Sequence, residues 1–213
     1  MYAVLKRILD ITASFILLVV LSPLFLVIML AVAADSSGKV IFMQQRAGRM
    51  GKPFMLYKFR TMNPAAPGAI AAGRFMDASH FITPVGRFLR YSSLDELPQL
   101  FNILKGDMSF IGPRPVILAE TELLDMRKKN GADQLRPGIT GLAQIRGRNH
   151  LDDRRKARYD AFYAQHASLR LDAYIAFHTV GYVLRSEGIR EGAAADTNGL
   201  SCFTADSSER EGS

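Results

Sequence analysis

The sequence predicts an α/β fold, mostly α with a small β-hairpin. An N-terminal re-entrant membrane helix-break-helix is followed by a compact cytosolic domain with interfacial amphipathic helices. Three observations predict this: an uncharged apolar stretch with Ser-Pro at its centre, two β-rich runs around a Gly/Pro turn, and later helical patterns that mix aromatic and basic residues. The expected organisation is 1–36 for the membrane element, 37–190 for the cytosolic domain and 191–213 for a polar tail.

Ile11 to Ala34 is 24 residues without a charge, long enough as one helix to cross a bilayer core of ~30 Å. No convincing small-residue cleavage site marks it as a signal peptide. Two features argue against a straight span. Pro23 lacks an N–H and its ring predicts a kink, while the Ser22 hydroxyl can satisfy a carbonyl one turn back. Cations also flank both ends: Lys6 and Arg7 before, and Lys39, Arg46, Arg49 and Lys52 after. The positive-inside rule puts both flanks on the cytoplasmic side, which two arms of roughly 11 residues, ~17 Å each, can satisfy. A single-pass anchor with a tolerated proline is the alternative.

Val40 to Met62 reads as two strands around a turn holding Gly48, Gly51 and Pro53. Phe54, Leu56, Lys58 and Arg60 share one face of the second run, so two cations can point toward a phosphate or toward solvent. Asn63 to Pro84 is a long Pro/Ala/Gly-rich loop, followed by a short amphipathic helix carrying Arg87 and Arg90. Val116 to Asn130 predicts a helix closed by Lys128, Lys129 and Gly131. Arg136 to Asn149 is a Gly-containing turn segment with Arg136, Arg146 and Arg148. Helices are predicted over Leu151 to His166 and Leu171 to Arg185, then a loose tail.

The chain has 213 residues and a net charge of +7, enough for one core and suited to an anionic partner. The aromatic-basic stacking patterns of nucleic-acid binders are absent, so nucleic acid is not an expected partner. The lone Cys202 excludes an internal disulfide and a thiolate zinc site, and the four histidines show no metal-ligand spacing.

The chemistry concentrates in SSLDELPQLFNILKGDMSFIGPRP, residues 92 to 115. Ser93-x-x-Glu96 matches a capping box, which explains Asp95 and Glu96 structurally, but Pro98 would then interrupt the helix. Functionally, a carboxylate at a helix N-terminus stays ionised and can attack phosphorus or hold Mg²⁺. Its neighbour, rotated by about 100°, can orient it or act as a base. Arg114, fixed between Pro113 and Pro115, presents a guanidinium fork suited to phosphate.

KRILD, the Ser-Pro-broken stretch, YKFRTM, SLDELPQLFNILKGDMSFIGPRP and RPGITGLAQIRGRN occur in this order. This series resembles the bacterial sugar transferases, the small monotopic phosphoglycosyl transferases, over roughly residues 1–191. The resemblance implies transfer of a phospho-sugar from a UDP-sugar to polyprenyl phosphate, with Mg²⁺ and a covalent aspartyl intermediate. By position, Asp95 would be nucleophile and metal ligand and Glu96 its acidic partner. Arg90, Arg114 and Arg148 would contact phosphate or nucleotide, and Lys58 and Arg60 would belong to the basic strand motif. The broken helix would dip into the inner leaflet of a bacterial plasma membrane, leaving the catalytic domain cytoplasmic. A homodimer is compatible with this reading.

Two departures stand out: the loop after Asn63 is poorer in acidic and polar residues than usual, and Arg146 replaces a commonly uncharged side chain. The chain reads as the minimal form, without a preceding membrane domain. RSEGIREG near its end resembles members acting on UDP-N-acetyl amino sugars. The competing readings are a non-enzymatic, membrane-attached basic module and a membrane-bound hydrolase of nucleotide sugars.

Overall fold

A computed structural model describes residues 1–63, 81–147 and 151–185. Most of the loop after Asn63, Arg148 and the 191–213 tail lie outside the described residues.

Two helices open the chain, α1 (Tyr2–Val20) and α2 (Ser22–Asp35), bent by 64°. Pro23 stands in the first turn of α2, where its missing N–H costs no helical bond. Ser22 Oγ donates to the Val19 carbonyl at 2.8 Å, so the break has the chemistry that its sequence predicts. The arms are longer than roughly 11 residues because α1 extends back through its charged N-terminal turns. Among the described residues no single helix is long and apolar enough to cross a membrane, whereas the bent pair together is.

α1 has two faces. Asp10 and Ser14 are buried, and Leu17 and Leu18 pack on the core, while Val4, Leu5, Ile8, Phe15 and Val19 are exposed. Lys6 and Arg7, the flanking cations of the sequence, are also tied into the fold. Lys6 pairs with Asp172 at 2.8 Å, and Arg7 donates to the carbonyls of Ile103 and Leu104 at 2.7 and 3.1 Å. Orphan carbonyls at a helix end draw Arg7 inward, and the Asp172 carboxylate does the same for Lys6.

β1 (Ile41–Ala47) and β2 (Pro53–Phe59) form the expected antiparallel hairpin, with Ile41 opposite Phe59 and Ala47 opposite Pro53. Phe54 and Leu56 face inward and form a core with Leu100, Ile103 and Met108. A second cluster seats Ile28 and Val32 of α2 against Phe59 and Leu89.

Beyond the loop come α3 (Pro84–Ser92) and α4 (Gln99–Lys105), then β3 (Ser109–Ile111), α5 (Thr121–Asn130), β4 (Gly138–Thr140), α6 (Leu142–Ile145), α7 (Asp153–His166) and α8 (Leu169–Arg185). β3 and β4 pair in parallel, and β4 lies inside the Arg136 to Asn149 segment expected only to turn. α5 starts later than expected but ends as expected, at Gly131 with φ 79°. The Asp152 carboxylate accepts from the Arg155 N–H and caps α7. In α8, Leu171 and Ile175 are buried while Phe177 and Val180 are exposed, an amphipathic face.

Candidate active site

Asp95 and Glu96 lie in a single 3₁₀ turn, Leu94–Glu96, not in the first turn of a longer helix. Ser93 adopts φ 57°, a left-handed backbone that few non-glycine residues occupy, and makes no side-chain cap among the described residues. The capping-box expectation is therefore corrected. α4 begins only after Pro98, so the proline ring removes no intrahelical bond. Both carboxylates are nearly buried, at 8% and 9% exposure.

Asn102, fully buried in α4, holds this turn against the hairpin. Its Oδ1 accepts from the Tyr57 N–H at 3.1 Å and its Nδ2 donates to the Met55 carbonyl at 2.7 Å. Lys58, next on β2, then reaches the pair: its Nζ lies 2.7 Å from Glu96 Oε1 and 3.7 Å from Asp95 Oδ2. Arg114 Nη2 is 3.3 Å from the same Glu96 oxygen. Glu96 is thus held by two cations. Asp95 accepts no hydrogen bond from the described residues, and Lys58 is its one ion-pair partner among them.

The Gly112-Pro113-Arg114-Pro115 turn is fastened to β4. Gly112 N–H donates to the Thr140 carbonyl and Gly138 N–H to that of Pro113, both at 2.9 Å. A Cβ on Gly112 would come within 2.3 Å of the Arg136 carbonyl, so only glycine permits this approach. Behind it Arg127 donates to the Arg114 carbonyl at 2.9 Å and to Asp160 Oδ2 at 2.8 Å, a buried ion pair that fixes the turn. Sequence reading missed this pair. Its one signal was the row Ala157, Asp160, Tyr163, which places a carboxylate on the buried stripe of α7.

Arg46 also belongs here, although the sequence marked it only as a flanking cation. Ala47 N–H bonds the Val116 carbonyl at 2.9 Å, bringing the end of β1 beside the turn. Burial and then the Arg114 charge press Arg46 below its ordinary value, with Glu120 and Glu96 opposing. Its Nε is buried without a partner among the described residues.

Arg90 reaches the site from α3. A Cβ on Gly86 would collide with the Thr61 backbone, so the bare glycine lets α3 lie against residue 61. Arg90 Nε donates to Thr61 Oγ1 at 2.9 Å, and its charge favours ionised Asp95. Arg60 points elsewhere: buried, it donates to the carbonyls of Val32, Ser36 and Lys39 and closes the end of α2. Arg146 bonds Tyr174 Oη at 3.3 Å, and Arg136 bonds the Gly106 carbonyl, both outside the Asp95 cluster. The structure brings together Asp95, Glu96, Lys58 and Arg114, with Arg90 at the edge.

Burial raises the Asp95 carboxyl above its ordinary value; Lys58 opposes this, Glu96 reinforces it, and Arg90 and Arg114 oppose it. The expected helix N-terminal stabilisation is outweighed, because the turn is short and desolvation is the larger influence. Among the described residues no three acidic, His or Cys side chains converge as a metal cage. Two adjacent carboxylates nonetheless fit Mg²⁺, which keeps several waters and takes further oxygens from substrate phosphates.

The chain matches the family described as Bacterial sugar transferase over residues 1–186. It is 41% identical over 188 residues to a protein named Uncharacterized sugar transferase EpsL from Bacillus subtilis, covering 88% of this chain and 91% of that protein. Undecaprenyl-phosphate galactose phosphotransferase of Salmonella typhimurium is 40% identical over 201 residues, covering 86% of this chain and 41% of the relative. UDP-N-acetylgalactosamine-undecaprenyl-phosphate N-acetylgalactosaminephosphotransferase of Aeromonas hydrophila is 38% identical over 196 residues, covering 89% and 46%. The chain therefore spans nearly all of the first relative and under half of the other two.

Proposed function

This chain belongs to the bacterial sugar transferase family, and on that footing we propose that it moves a phospho-sugar from a UDP-sugar to undecaprenyl phosphate, releasing UMP. The observation that carries the mechanism is the asymmetry of the dyad: Glu96 is held by Lys58 and Arg114, while Asp95 has only the longer 3.7 Å ion pair to Lys58 among the described residues. In the first step an Asp95 oxygen attacks the sugar-bearing phosphorus, forming an acyl phosphate as the anhydride bond to UMP breaks. In the second, a phosphate oxygen of the lipid attacks the same phosphorus and returns Asp95 as a carboxylate. One anhydride is exchanged for another, and the soluble and lipid substrates use the site in turn.

Arg114 and Arg46 supply guanidinium groups to the phosphates, Lys58 and Arg90 favour the ionised form of Asp95, and Glu96 holds Lys58 beside it. Mg²⁺, held by Asp95 with Glu96 nearby, would neutralise the approach of a carboxylate to a diphosphate.

The same reading extends to the membrane. Both ends of the bent pair are tied to one folded body, by Lys6 and Arg7 at the start of α1 and by Arg60 at the end of α2. That supports a pair that enters one leaflet and returns, with the rest of the chain on the cytoplasmic side of a bacterial plasma membrane. The relatives' named donors include a hexose and an N-acetyl hexosamine at nearly equal identity. Among donors, a UDP-N-acetyl amino sugar is the one we propose, from the RSEGIREG stretch.

The test mixes purified protein, Mg²⁺ and a panel of UDP-sugars without any lipid phosphate. One equivalent of UMP and a phospho-sugar adduct on the peptide containing Asp95 is the expected result, and it names the sugar. UMP release only after lipid phosphate is added would favour direct transfer. Continuous release of sugar phosphate to water would favour a hydrolase.

A further inference from the structure

A cavity of about 160 Å³ lies where the first turns of α1 cross β3 and the Arg49–Gly51 turn. Lys6, Arg7, Arg49 and Arg136 line it, against one carboxylate, Asp10. Asp10 is committed to the Phe110 N–H at 3.2 Å, and Lys6 to Asp172. Arg7 spends both terminal nitrogens on carbonyls. Arg49 and Arg136 differ. Each is anchored only through Nε, to the carbonyls of Gln134 and Gly106 at 2.8 and 2.9 Å. Their terminal nitrogens have no bonded partner among the described residues.

The third feature is Ser109. Its hydroxyl lines the same cavity, the residue is 2% exposed, and Oγ has no hydrogen-bond partner among the described residues. A buried hydroxyl without a partner is uncommon and points to a missing ligand. Arg136 is pressed below its ordinary value by burial and then by the charges of Arg7 and Arg49, so these guanidinium groups crowd one another. Such a cluster gains when an anion enters it.

We propose that this cavity binds a phosphate-bearing anion, gripped by the terminal nitrogens of Arg49 and Arg136 and by Ser109 Oγ. The site is separate from the Asp95 cluster and does not depend on the transferase reading. The phosphate has two sources: a glycerophospholipid headgroup, since the exposed apolar row of α1 begins here with Val4, Leu5 and Ile8, or free phosphate.

The test is equilibrium dialysis of the full chain in uncharged detergent with radiolabelled inorganic phosphate. Arg114→Gln is built in, to remove the phosphate affinity of the Asp95 site. One bound phosphate is expected, weakened about ten-fold or more by Arg49→Gln with Arg136→Gln, and about five-fold by Ser109→Ala. Arg49→Lys with Arg136→Lys, which keeps the charge and loses the fork, should fall between. Circular dichroism melts check that each variant is folded. Displacement by dihexanoyl phosphatidylglycerol below the concentration at which unlabelled phosphate displaces assigns the site to a headgroup; the reverse order assigns it to free phosphate. No binding in the Arg114→Gln chain, or undiminished binding in the folded double Gln variant, overturns the proposal.

Discussion

Replacing Asp160 by Asn tests how the Arg114 turn is held. Asp160 Oδ2 receives both Arg127 Nε, at 2.8 Å, and Nη2, at 2.7 Å, and the side chains are 3% and 8% exposed. Removing one partner of a buried ion pair costs about 3–5 kcal/mol, because the other charge stays buried. Asn keeps one acceptor oxygen, so about 3 kcal/mol is expected, a large part of a typical stability of about 5–15 kcal/mol. Arg127 also donates to the Arg114 carbonyl, so its displacement should loosen the turn and slow UMP release about ten-fold or more. Urea unfolding followed by circular dichroism, in uncharged detergent, gives the first quantity, and a UMP-release assay the second. Arg127→Met with Asp160→Leu separates the roles. This apolar pair should recover most of the stability but not the rate, since the Arg114 carbonyl has lost its donor. An Asp160→Asn protein within about 1 kcal/mol of wild type, or a double variant that regains full rate, would refute the reasoning.

Asp95→Asn should abolish transfer yet raise the unfolding midpoint at neutral pH. The folded carboxyl sits above its unfolded value, so its protonated form stabilises the fold at low pH, and that contribution is lost as pH rises through the folded value. The stability gap between variant and wild type should therefore widen from acid to neutral pH; a constant gap in parallel melts counts against it. For the same reason the acid limb of the rate profile should lie above the usual carboxylate value of about 3.9, and a limb at that value would mean Asp95 is not desolvated. Arg60→Gln should destabilise the fold by about 2 kcal/mol or more and leave the donor KM unchanged. A raised KM in a protein of normal stability would instead put Arg60 in contact with the donor. Gly112→Ala should prevent folding, because its Cβ would lie 2.3 Å from a carbonyl oxygen; a soluble protein with a wild-type melt would show that the turn can move.

Much of this site was readable from residue type and spacing. The Ser22-Pro23 break, the hairpin and the inward row Phe54, Leu56, Lys58 follow from local chemistry, which a linear pattern records. What escaped was every feature set by distant partners. Lys58 and Arg60 share a strand parity, yet Lys58 reaches the carboxylates while Arg60 reaches the carbonyls of Val32, Ser36 and Lys39 at the end of α2, partners that no local pattern announces. The β3–β4 pair brings together segments almost thirty residues apart, and nothing local in three residues announces it. Ser93 looked like a cap because its type suits one, but it takes a left-handed backbone between α3 and the Leu94–Glu96 turn, which residue type alone does not announce.

The Arg60 clamp has a mechanical consequence. Arg60 grips the last turn of α2, and its chain neighbour Thr61 holds Arg90, whose charge bears on Asp95. α2 and the Asp95 carboxylate are thus linked by two consecutive residues and one side chain. Any shift of α2 relative to the rest of the chain is therefore carried by this short lever to Arg90, so the first two helices and the carboxylate site move as coupled parts rather than independently.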